Sequence, residues 1–129
     1  MSCRAPDMRR LRSCLRYRPG QRGVLVAMHA AQFLSAPDGS PVRGIDPADA
    51  EAGAACMELL AAHPRVRTLV FGHDHLRRGP LGRDGLDCFF AGRCGGSWGL
   101  APAVVLMELD AWGRIRSWQS HLLEHAGPA

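Results

Sequence analysis

The stretch Leu69–Gly79, LVFGHDHLRRG, places His73 and His75 on either side of Asp74, directly after an apolar run that ends in Gly72. A neutral imidazole offers a nitrogen lone pair to a divalent ion or passes a proton to a leaving group near neutral pH. Two imidazoles this close together can aim at neighbouring points. That suits a two-metal site with ions about 3.5–4 Å apart and one histidine for each. A further histidine, His29, follows a second apolar run, GVLVAM at 23–28. In layered α/β folds, ligands collect at the carboxyl ends of strands, so His29 and His73 both stand where a site forms. Gly72 is expected to let the chain turn sharply and to let a ligand approach.

The elements that must position these residues follow from pattern. Residues 7–18 carry Met8, Leu11 and Leu15 at helical spacing with arginines on the other face. PGQRG then breaks the chain before the strand at 23–28. Residues 35–47, rich in Pro, Gly, Ser and Asp, read as a loop that shapes specificity. Asp46 followed by Pro47 is a helix start, and the helix runs to His63, where an imidazole suits the dipole and Pro64 stops the turn. VRTLVFG (66–72) is the second strand, and LDCFFAG (86–92) and PAVVLMELD (102–110) are further strands. GRIRSWQ (113–119) pairs with the last of these as a hairpin. The order of helices and strands predicts an α/β layered fold in a single domain over 1–129: an arginine-rich helix and turn at 1–22, a core at 23–119 and a tail at 120–129.

Composition bounds the function classes. The 129-residue chain is 47% hydrophobic, enough for a packed core. Its formal charge is +4, and every one of its 16 basic residues is arginine; lysine and asparagine are absent. That bias, with abundant Ala and Gly, reads as a GC-rich coding sequence. Tyr17 is the single aromatic among the arginines of 1–22, so no specific nucleic-acid binding is expected. The odd count of 5 cysteines, irregularly spaced, fits free thiols in a cytoplasm better than a disulfide framework. No apolar run approaches the roughly 18 residues of a membrane span. Arginines precede GVLVAMHAAQFLSA, but His29 and Gln32 interrupt it, which argues against a cleavable leader.

An apolar strand ending in His29, a loop and helix, then a strand ending in Gly72-His73-Asp74-His75 resembles the last two motifs of the calcineurin-like metallophosphoesterases. Residues 8–22 resemble the helix and turn before the first of these strands, and 86–119 the closing strands of that family. The resemblance implies the C-terminal half of a layered α/β sandwich, incomplete by itself. It implies two divalent ions (Mn, Fe or Zn), with His29 and His73 on one and His75 on the other. It implies hydrolysis of phosphate mono- or diesters, a metal-bridging hydroxide attacking phosphorus in line. Where the family often has a second histidine and prolines, Ala30 and Ala31 follow His29. The family's N-terminal motifs, Asp-x-His, Gly-Asp-x-x-Asp and Gly-Asn-His-Asp/Glu, have no match in this chain. The bridging carboxylate, the asparagine ligand and the leaving-group acid are therefore missing, and no catalytic residue is assigned. Three neutral imidazoles offset none of the charge on two divalent ions, so their mutual repulsion is uncompensated. The expectation is a truncated or split phosphoesterase, inactive alone and holding at most one ion. Its open strand edges and uncovered apolar face would drive association with an N-terminal half or with itself.

Other readings compete. The chain is alternatively a non-catalytic binding or scaffold module, or a pseudoenzyme. His73, His75, Cys88 and Cys94 form a candidate structural zinc set, although Cys88 in an apolar strand reads as a small hydrophobe. His29, His73 and His75 form a candidate mononuclear zinc set. His121-Leu-Leu-Glu-His125 matches an inverted zinc-peptidase pattern but lacks a downstream ligand, so a frayed terminal helix is expected there. Asp74 reads as solvated or supporting a ligand, Arg77 and Arg78 as a solvated loop or a phosphate contact, and Trp98, Trp112 and Trp118 as core packing.

Overall fold

The computed structural model describes residues 4, 6–16, 18–95 and 98–123; Tyr17, Glu124 and His125, named above, lie outside them, as does Cys3. Helix α1 spans Met8–Cys14 and is capped by the Asp7 carboxylate, which accepts hydrogen bonds from the Arg9 and Arg10 amides. It stops short of residue 18. Leu15 turns into the core, its carbonyl receives the His63 ring at 2.8 Å, and Pro19 disfavours helix at the residue before it. Strand β1 is Val24–Met28. After it, the segment expected to be an open loop is packed. Ser35 and Pro41 form a bridge, and Ala36, Val42 and Ile45 are buried. Asp46 caps a 3-10 turn at Pro47–Asp49, which runs into helix α2, Ala50–Ala62.

Strand β2 is Val66–Phe71, β3 is Gly79–Arg83, β4 is Leu86–Phe90, β5 is Ala103–Leu109 and β6 is Ile115–Leu122. Four strands form one sheet in the order β1-β2-β4-β3, with β1, β2 and β4 parallel and β3 antiparallel to β4. One sheet face carries Leu69, Phe71, Cys88 and Phe90, which join Cys56, Met57 and Leu60 of α2, Phe33 and Leu15 in the main core. The hairpin β5–β6 lies against the opposite face. There Trp118 meets Phe89 edge-on at 5.1 Å, and the Thr68 hydroxyl donates to the Gly113 carbonyl at 2.6 Å. The chain is α/β, with helices on one side of a mostly parallel sheet and a hairpin on the other. The buried strands β2 and β4 read as near-continuous apolar runs because both of their faces are covered.

Three expectations change. Strand β3 was not expected, because Pro80 and two glycines hide it; Pro is tolerated there because β3 is an edge strand. Strand β6 runs through His121, which pairs with Val104, so that histidine is on a strand and not on a terminal helix. The tryptophans are not core: Trp98, Trp112 and Trp118 are 44%, 58% and 39% exposed. A small sheet already filled by Phe71, Phe89 and Phe90 leaves them partly exposed, Trp118 covering Phe89 from outside.

Candidate metal centre

Parallel pairing of β1 with β2 puts Met28 beside Phe71, so both chains leave the sheet at the same level. The Gly72 amide then donates to the His29 carbonyl at 2.9 Å, which ties the two strand ends together. The sharp turn falls on His73 and not on Gly72: His73 has φ 53°, in the left-handed region where histidine is tolerated better than most residues. This backbone swings the His73 ring toward β1, and its Nδ1 lies 3.2 Å from Nε2 of the exposed His29. The rings meet edge-on with centroids 5.0 Å apart. Two nitrogens each about 2.0–2.1 Å from one ion, at angles between octahedral and tetrahedral, stand about 2.9–3.4 Å apart. The observed separation fits two ligands of one metal, and it equally fits one imidazole donating its proton to the other. Burial lowers the His73 pKa below its ordinary 6.5, with the positive potential of His29 and His75 acting the same way. The neutral ring, which carries the lone pair that ligation needs, is thereby favoured.

His75 faces elsewhere. Its ring stacks on Trp98 with centroids 4.6 Å apart and planes 30° apart, and its carbonyl accepts the Leu100 amide at 2.7 Å. Gly99, at φ 93°, crosses so close to the His75 backbone that no side chain fits there. The His75 Nδ1 is buried without a hydrogen-bond partner. Among the described residues, no three His, Cys, Asp or Glu side chains converge as a metal set. His29 and His73 are brought together, and His75 does not join them as a third ligand.

The intervening Asp74 is not solvated: it is 3% exposed. Its carboxylate accepts the Arg43 amide and the Leu76 amide, each at 3.0 Å, and stands 3.9 Å from the Arg77 guanidinium. It fastens the Gly-His-Asp-His loop to the 41–45 segment. Neither Arg77 nor Arg78 is a simply solvated cation. Arg77 donates to the Ser40 hydroxyl and the Pro41 carbonyl, and Arg78 donates to the carbonyls of Ala91, Arg93 and Ala101. The candidate zinc set fails as well. Cys88 is fully buried on β4, where burial pushes its thiol up to about 12, while Cys94 is exposed. His63 is the C-cap of α2, as expected, and its ring also joins the helix end to its neighbours: Nδ1 accepts the Arg65 amide and Nε2 donates to the Leu15 carbonyl.

Comparisons with protein-family models, with curated proteins and with solved structures find no match.

Proposed function

We propose that this chain is the C-terminal lobe of a dinuclear metal-dependent phosphoesterase acting on phosphate mono- or diesters, inactive as an isolated polypeptide. The observation that carries the reading is the 3.2 Å approach of His29 and His73 at the carboxyl ends of two adjacent parallel strands. These two side chains would hold one divalent ion, and His75, once its Nε2 turns toward the site, a second. Bound ions would supply charge neutralisation at the phosphate and activation of water. The chain's own residues do less: His29 and His73 present lone pairs, Asp74 fixes the loop between His73 and His75, and Trp98 holds the His75 ring. Among the described residues no carboxylate completes a metal set here, so on this reading another polypeptide segment, or a second copy of this chain, supplies the bridging acid. The lobe belongs on this reading to the cytoplasm, without specific affinity for nucleic acid; no helix among its described residues is long and apolar enough to cross a membrane.

A second reading, a non-catalytic module that kept the fold, is favoured by the absence, among the described residues, of a third ligand beside His29 and His73. Elemental analysis of the dialysed protein separates the two. The phosphoesterase reading expects one Mn, Fe or Zn per chain, lost in His29→Ala and His73→Ala, with no turnover of bis(p-nitrophenyl) phosphate by the chain alone. Zero metal in the wild type leaves the module; efficient turnover by the chain alone overturns the claim that its site is incomplete.

A further inference from the structure

We propose that Arg43 forms a phosphate-binding subsite beside His75, taking the phosphoryl oxygens of an ester or of free orthophosphate. The ester arm rests on the phosphoesterase reading; binding of orthophosphate does not. Three arginines border the Gly-His-Asp-His loop, and their guanidinium groups have different fates. Those of Arg77 and Arg78 are committed to oxygens of the protein itself. The Arg43 residue is exposed, and among the described residues its amide, not its guanidinium, makes its hydrogen bond. Its donors are therefore available to a ligand.

Arg43 is nonetheless held in place. Its amide donates to the buried Asp74 carboxylate at 3.0 Å, which anchors its Cα to the loop between His73 and His75. Its guanidinium carbon lies 4.9 Å from the centroid of the Trp98 ring. Trp98 in turn stacks on His75 at 4.6 Å. A guanidinium resting on an indole face keeps its planar N–H fork directed outward while losing little freedom on binding. That fork matches the oxygens of a phosphoryl group, which accept two parallel hydrogen bonds. The carboxylate of Asp74, to which the Arg43 amide donates, is already occupied by two amides and faces Arg77, so it offers little competition for Arg43. Arg43, Trp98 and His75 thus form a continuous stack from a cation with open donors to an imidazole of the Gly-His-Asp-His loop.

Isothermal titration of the full chain with orthophosphate and, separately, with phenylphosphonate at low ionic strength tests this, in metal-free and Mn-loaded protein. Both anions are expected to bind, and Arg43→Gln to weaken them about tenfold or more, the scale of a charge-assisted contact. Arg43→Lys is expected to fall between, and Trp98→Ala to weaken binding while Trp98→Phe largely keeps it. Tighter binding of phenylphosphonate assigns the site to the ester; equal binding assigns it to phosphate itself. Arg10→Gln, on exposed α1, controls for non-specific attraction to the arginine surface. Wild-type affinity in Arg43→Gln, an equal loss in Arg10→Gln, or no binding by the wild type in either metal state overturns the proposal. Failure of the chain to retain metal, with Arg43-dependent phosphate binding intact, overturns the dinuclear reading alone.

Discussion

At the scale of single residues, the proposed metal site depends on His73. Its left-handed backbone at φ 53° directs the ring at His29, and it is a conformation costing about 1–2 kcal/mol for most side chains. Its lowered pKa has a definite consequence for pH. Between the folded pKa and the unfolded value near 6.5, the unfolded chain binds more protons than the folded one. Stability is therefore complete above about 6.5 and falls as pH drops through the folded pKa. Urea titrations at steps between pH 7.5 and 5 should show this acid-side loss, reduced in His73→Gln. Metal retention should weaken over the same range, because protonation removes the lone pair. An unchanged slope in His73→Gln would locate the acid sensitivity elsewhere.

At the scale of elements, the Gly-His-Asp-His loop is a joint between β2 and the 41–45 segment, and Asp74 is its fastening. Replacing the carboxylate in Asp74→Asn keeps one acceptor oxygen but turns the other into a donor facing an amide. That leaves a buried group unsatisfied, at a cost of about 1–3 kcal/mol. Chemical denaturation should read this loss, and phosphate binding should weaken with it, since Arg43 hangs from the same carboxylate. A fully stable Asp74→Asn protein would mean that the loop is held by its backbone alone. Strand β3 teaches a related lesson. Asp84 and Gly85, both at positive φ, form the tight turn that joins β3 to β4. Asp-Gly between two runs is a strong hairpin signal, and it stands in the sequence. Gly79, Pro80 and Gly82 diluted the apolar pattern on its N-terminal side.

At the scale of the whole molecule, the sheet ends at β1, whose outer edge has no partner among the described strands. The outward face of β5 presents Val104 and Leu106 at 43% and 56% exposure. Open edges and exposed aliphatic faces favour pairing with another chain. Sedimentation velocity should accordingly find dimers or larger species, and Val104→Lys with Leu106→Lys should shift them toward monomer. A monodisperse wild-type monomer would remove the case for association through these surfaces.

The sequence by itself determined the α/β class, both helices, five of the strands, and the placement of His29 and His73 at strand ends. Each rests on local signals: apolar runs of strand length, Asp46-Pro47 as a helix start, and a proline after His63. Tertiary structure alone decided which strands adjoin, and thereby that His29 and His73 meet while His75 turns to Trp98. It also decided that Asp74 is buried, that Arg77 and Arg78 are committed to the protein's own oxygens, and that Arg43 is not. The physical reason is range. Propensity and period act over a few residues, whereas a side chain's partner can lie 31 positions away, as Arg43 does from Asp74. Such a partner is set by packing, which no local pattern records.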